Sequence, residues 1–243
     1  MPLTPPPITG TILTIAHASG NKWVDEVRGV KWNQSLYNYL SPIKKFSISD
    51  KNPWRQNKPY VALNSGHIIY TKNLIDNIDN QEDCTIFVRF KAVSLSSVLF
   101  ILTSCLNYKI FNGPFVLIYN LALYGLCING CRSPKVEIYT PSPSLNDWHA
   151  ITFTRQNRIG YLFVDGILKG SNTIKYDIIQ ANQLGTTDGE ATDISNTIAS
   201  CYDEIVVIKG QALWTSNFDS DINWGYNWIP YENDINHNKI KVY

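Results

Sequence analysis

Residues 148–170 read WHAITFTRQNRIGYLFVDGILKG, and this stretch decides the fold. Ile151 and Phe153 fall on one side of an extended chain, and Thr152 and Thr154 on the other. That period of two marks a strand. A polar loop at 155–158 follows, then a second strand at 161–164 that runs into Asp165-Gly166. Asp-Gly suits a tight hairpin turn, whose central residues need positive φ. The stretch therefore predicts antiparallel strands with one face on a core and one in water.

Further strands are expected on both sides of this hairpin. Residues 84–90, CTIFVRF, form a strand with Ile86, Val88 and Phe90 on one face. Residues 11–16, 59–70, 94–103, 115–119, 124–128, 135–139 and 205–209 complete the series. The run at 59–70 is broken at Asn64-Ser65-Gly66, and Gly, Asn or Pro separates the others. Short strands at this spacing predict an all-β sandwich or jelly roll. No long stretch carries a helical period. Residues 20–59 read as short strands in long loops, and 183–197 as a loop.

The chain has 243 residues, 44% hydrophobic and only 17% charged, enough for one domain with a full core. We divide it into a Pro-rich arm at 1–10, a sandwich at 11–220 and an aromatic, Asn-rich tail at 221–243. A net charge of +1 gives no reason to expect nucleic acid as a partner. The longest apolar run, 98–106, is too short to span a bilayer, so membrane insertion is not expected. The first residues show no secretory signal, and a cytosolic origin is the expectation. Of five cysteines, Cys127 and Cys131 flank an Asn-Gly turn that a disulfide would close. The other reading is five reduced thiols in or near the core.

Three segments, in order, resemble the laminin-G-like, concanavalin A-like jelly-roll family. The first is VALNSGHIIY at 61–70 with CTIFVRF at 84–90. The second is WHAITFTR at 148–155 with YLFVDG at 161–166, similar to the family's tryptophan-histidine strand and its valine-aspartate-glycine turn. The third is DEIVVIKG at 203–210 with ALWTSNF at 212–218, similar to the closing strand and its tail. The resemblance spans residues 10–220. Its closing pattern looks most like copies in bacteriophage virion and tail proteins.

The resemblance implies a concanavalin A-like jelly-roll β-sandwich. It further implies a non-enzymatic virion structural or attachment protein: a tail-fibre, baseplate or capsid-surface component assembled in the host cytoplasm. Other virion subunits or further copies of the chain are the expected partners, with a cell-surface glycan as another. Chain ends outside a core are free to reach neighbours, so the arm and tail are the expected attachment points. The alternative is a free carbohydrate-binding lectin.

Relatives place an acidic residue at the start of the closing strand, where it helps hold a structural Ca²⁺. The resemblance thus implies Asp203 as a Ca²⁺ ligand. Asn64 stands where relatives often carry Asp, and Asp25-Glu26 offers further oxygens. In the other reading, Asp203 hydrogen-bonds the first and last strands together. A second acidic group, Asp188, Glu190 and Asp193, lacks the spacing of a calcium loop and reads as solvated.

A glycosidase is the third rival. It needs two carboxylates flanking the scissile bond, and the strands at 84–90, 150–154 and 161–164 are acid-free. His17, His67, His149 and His237 have no nucleophile motif beside them. Trp224, Tyr226 and Trp228 alternate, so an extended chain puts all three on one side. They read as a glycan platform, a docking strip for a neighbouring subunit, or packing of the tail on its own sandwich.

Overall fold

The computed structural model describes residues 3–20, 22–27, 32–36, 47–49, 58–64, 67–71, 78–93, 98–105, 111–118, 122–124, 127–128, 135–136, 138–175, 177, 183–184, 198–227 and 229. Among the described residues the regular elements are all strands. In chain order they are β1 (Thr11–Ser19), β2 (Lys22–Asp25), β3 (Trp32–Leu36), β4 (Ser47–Ser49), β5 (Tyr60–Asn64) and β6 (His67–Thr71). Then come β7 (Cys84–Ala92), β8 (Val98–Cys105), β9 (Phe111–Ile118), β10 (Ala122–Tyr124), β11 (Cys127–Ile128) and β12 (Lys135–Val136). The last are β13 (Tyr139–Pro141), β14 (Trp148–Gln156), β15 (Ile159–Val164), β16 (Ile167–Thr173), β17 (Gln183–Leu184) and β18 (Ile198–Lys209).

The strands form two antiparallel sheets. The first runs β16-β15-β14-β7-β18-β1-β2, with β5 also on β18 and β4 on β5. The second runs β12-β11-β9-β8-β17-β6-β3, with β10 beside β9 and β13 beside β10. The main core gathers Leu13, Ile86, Val88, Phe90, Ile151, Phe153, Leu162, Ile205 and Val207 from the first sheet. Leu123 of the second sheet joins them.

The hairpin that decided the fold is present, in tighter form than read. β14 pairs with β15 from Ile151↔Val164 to Gln156↔Ile159, so the loop shrinks to Asn157-Arg158. Both turn residues have positive φ, 49° and 68°. Asp165 and Gly166 repeat that geometry at the other end, with φ of 53° and 75°. These are the values a two-residue turn between right-twisted strands requires.

The sequence reading put Thr152 and Thr154 in water; the structure buries both completely. The cause is the segment after β18, which folds back over the outer face of the first sheet. Thr154 Oγ1 donates to the Trp214 carbonyl. Thr85 Oγ1 donates to the Gln211 carbonyl at 3.0 Å and accepts the Leu213 N–H at 2.9 Å. Threonines thus satisfy the backbone of a covering strap, as buried polar groups must be satisfied. Under the strap lies a second core of Ile15, Phe87, Ala150, Val206, Ile208, Ile222 and Trp224.

The chain ends are likewise laid on the sandwich over their described parts. Leu3 exchanges backbone bonds with the strap, its N–H to Asp221 O at 2.8 Å and its carbonyl from Asn223 N–H at 2.7 Å. Gln211 Oε1 accepts the Thr9 and Gly10 N–H groups at 2.7 and 3.0 Å. Ile229 exchanges bonds with the end of β1: its carbonyl accepts Gly20 N–H at 2.6 Å, and its N–H meets Ser19 Oγ at 2.9 Å. Residues 3–10 and 211–227 therefore belong to the fold and are not free arms.

Cys84 and Cys201 are buried free thiols, and burial pushes their pKa up to about 12 and about 11. The side chains of Cys105, Cys127 and Cys131, the acids at 188–193 and His237 lie outside the described residues.

Candidate functional site

Among the described residues, fully buried charged side chains converge on the outer face of the first sheet beneath the strap. A bulge creates this cluster. The β18–β7 register shifts between Tyr202↔Phe90 and Glu204↔Arg89, so Asp203 is the extra residue. A bulge turns two neighbours toward one side. Tyr202 joins the main core, while Asp203 and Glu204 enter the ion cluster. In the two flanking ladders Glu204 stands opposite Arg89 on β7 and His17 on β1.

Lys58 completes the cluster from the residues just before β5. Its Nζ lies 2.6 Å from Asp203 Oδ1 and 3.1 Å from Glu204 Oε2. Arg89 Nη1 is 3.4 Å from Glu204 Oε1 and 3.9 Å from Asp203 Oδ2. Arg89 Nη2 also donates to the Ser220 carbonyl of the strap at 2.8 Å. All four charged side chains are fully buried. Tyr226 closes the top: its hydroxyl accepts from Lys58 Nζ and donates to Glu204 Oε2. Its ring stacks on the buried His17 at 3.8 Å between centroids. Two cations balance two anions here, which is what a dry site demands.

This geometry answers the calcium reading. The Asp203 carboxylate already meets two cationic side chains of its own chain. The β18–β5 ladder sets Asn64 opposite Ile198, five residues along β18 from Asp203. At strand rise that is about 16 Å. Asp25 is turned to Thr14 Oγ1 at 2.9 Å. Among the described residues, no three His, Cys, Asp or Glu side chains group in a way that would hold a metal ion. The donor set does not suit Ca²⁺, and Asp203 instead joins strands by ion pairing.

The aromatic alternation also resolves inward. Trp224 is buried, edge-on to Phe87 at 5.3 Å and to Trp214 at 6.1 Å. Tyr226 caps the ion cluster. Trp228 lies outside the described residues. What the strap leaves half-exposed is a different pair, Trp214 stacked on Phe218 at 4.0 Å and 9°. Thr215, Ser216 and Asn217, between them in the chain, are exposed.

A second polar cluster sits at the Asp165-Gly166 turn. His149 Nδ1 lies 2.8 Å from Asp165 Oδ2, and its Nε2 lies 3.0 Å from Ser144 Oγ. This looks like a serine–histidine–aspartate relay, but the proton traffic is wrong for one. Ser144 Oγ donates to Asp147 Oδ2 at 2.7 Å, so His149 Nε2 must be a donor. A nucleophile needs a base that takes its proton. Burial pulls the His149 pKa down, but the Asp165 carboxylate outweighs it and the net shift is upward. Asp165 Oδ1 accepts the Ala150 N–H at 2.8 Å. The cluster thus pins the hairpin turn to β14.

Sequence reasoning missed Lys58, Arg89, Glu204 and the burial of His17. One signal was available. Two adjacent acids interrupt the apolar strand at 198–209, and such acids need both a bulge and buried cations.

No protein-family model matches this chain, and no curated protein does. Solved structures do. The binding domain of botulinum neurotoxin serotype G is 12% identical, with a TM-score of 0.55 over 86% of this chain and 49% of that one. Domain 4 of a Geobacillus stearothermophilus GH43 arabinanase, solved with arabinotriose, is 13% identical. Its TM-score is 0.58 over 84% of this chain and 95% of that domain. The binding domain of Paraclostridial Mosquitocidal Protein 1 is 16% identical, with a TM-score of 0.58 over 84% and 49%. The chain spans about half the length of the two toxin structures. At these identities the likeness shows the fold alone, an all-β antiparallel sandwich.

Proposed function

We propose that this chain is a non-enzymatic recognition module that binds a glycan. The observation that carries the reading is the match to nearly the whole of an arabinanase domain solved with a bound arabino-oligosaccharide. Two toxin binding domains with the same sandwich add to it. The chemistry of the described residues supports the non-enzymatic part. Asp203 and Glu204 are sealed and ion-paired, and the Ser144 hydroxyl donates its hydrogen bond to the Asp147 carboxylate.

The strap closes the outer face of the first sheet, so recognition is assigned to the half-exposed Trp214–Phe218 stack. Aromatic faces beside hydroxyl and amide groups suit a ring with one apolar face and polar edges. The likeness of 212–218 to virion and tail copies supports a finer reading, an attachment protein that meets other virion subunits or its own copies.

The test is a glycan array probed with the purified chain, arabinan-derived oligosaccharides included, with mass spectrometry of the retained sugars. Retention of a restricted glycan set without cleavage is expected. Cleavage of a retained glycan, or no retention at all, overturns the reading.

A further inference from the structure

The Lys58 ammonium and the Asp203 carboxyl are held at 2.6 Å in a site with no exposed side-chain surface. A second carboxyl, Glu204, touches the same nitrogen at 3.1 Å. An ion pair alone needs neither full burial nor a second acid on its nitrogen. We propose that Lys58 and Asp203 condense to an intramolecular amide, a covalent cross-link between β18 and the entry to β5.

The step balances within the cluster. One proton passes from the Lys58 ammonium to the Asp203 carboxylate, giving a neutral amine and a neutral acid, the forms a dry site favours. The amine lone pair attacks Asp203 Cγ and the Nζ–Cγ bond forms. Arg89 Nη1, 3.9 Å from Asp203 Oδ2, places positive charge beside the oxygen that becomes negative. Glu204 takes the excess proton from Nζ and passes it to the departing hydroxyl. The Cγ–O bond breaks and one water leaves. No oxidant, cofactor or external nucleophile is needed.

The charge ledger favours this outcome. Before the step two cations face two anions. Afterwards Lys58 and Asp203 are neutral, and Arg89 with Glu204 remains as a matched pair at 3.4 Å. One buried ion pair, with its desolvation cost, is removed. Holding Lys58, at the entry to β5, against Asp203 on β18 supplies the proximity that lets an amide form without activation. Lys58 and Asp203 lie far apart in the chain, so the bond constrains the unfolded state as a long-loop disulfide does.

The test is the intact mass of the folded, purified protein measured after denaturation, followed by peptide mapping. The wild type is expected lighter than its sequence mass by one water, with a branched peptide joining the segments that contain Lys58 and Asp203. Lys58→Met is expected at its own sequence mass. Glu204→Gln is expected to accumulate the lighter species more slowly. A wild type at full sequence mass overturns the proposal. So does a loss of water that maps to an Asp-Gly succinimide, at Asp165 or Asp188, with no branched peptide.

Discussion

Trp224→Ala tests whether the segment after β18 is part of the fold. Trp224 is 7% exposed and packs with Phe87, Val206, Ile208 and Ile222. A buried tryptophan removes about 200 Å² from water. At about 25 cal/mol per Å² that is about 5 kcal/mol. Compactness of the unfolded chain lowers this by roughly 10–40%. A loss of about 3–4 kcal/mol results, in line with measured truncations of large core aromatics. For a chain of this size that corresponds to a Tm lower by about 6–16 °C. Urea unfolding followed by tryptophan fluorescence and far-UV circular dichroism reads it directly. If the tail were an appendage, the variant would unfold within about 0.5 kcal/mol of wild type, as surface substitutions do. That result would refute the placement of the strap.

Three further outcomes follow from the same geometry. Arg89→Met takes the guanidinium away from the buried Glu204 carboxylate and removes the donor to Ser220, so urea unfolding should show a loss of about 3–5 kcal/mol. Gly166→Ala puts a Cβ 1.9 Å from the Phe218 carbonyl oxygen at φ +75°, so a thermal melt should show more than the ~1–2 kcal/mol of left-handed strain alone. His149, with its pKa raised in the fold, should add stability that is fully present below about pH 6.5 and lost as pH rises through the higher folded value. Melting wild type and His149→Gln across pH 5–9 shows it, and a His149 NMR titration midpoint below the ordinary value would contradict it.

The hairpin at 148–170 was legible because its signals are local: alternation, a turn dipeptide and aromatic placement. What local pattern could not give is which faces are covered. The strands at 84–92 and 198–209 carry the near-continuous apolar runs TIFV and IVVI. Such runs mark strands buried on both sides, and that cue pointed to a cover over the outer face. Trp224 and Tyr226 both turn inward, where Phe87 and His17 lie. The ion cluster was invisible for another reason. It depends on a one-residue register shift at Asp203 and on a lysine from the polar region before β5, and neither has a short-range signature.

The central claim is recognition of a glycan at the Trp214–Phe218 stack. The most direct measurement is calorimetric titration of the best array glycan into wild type and Trp214→Ala, with circular dichroism confirming that the variant remains folded. The account predicts saturable binding to wild type and a loss of at least about tenfold in the variant, the equivalent of about 1.4 kcal/mol. Equal affinity in a folded Trp214→Ala variant would contradict it.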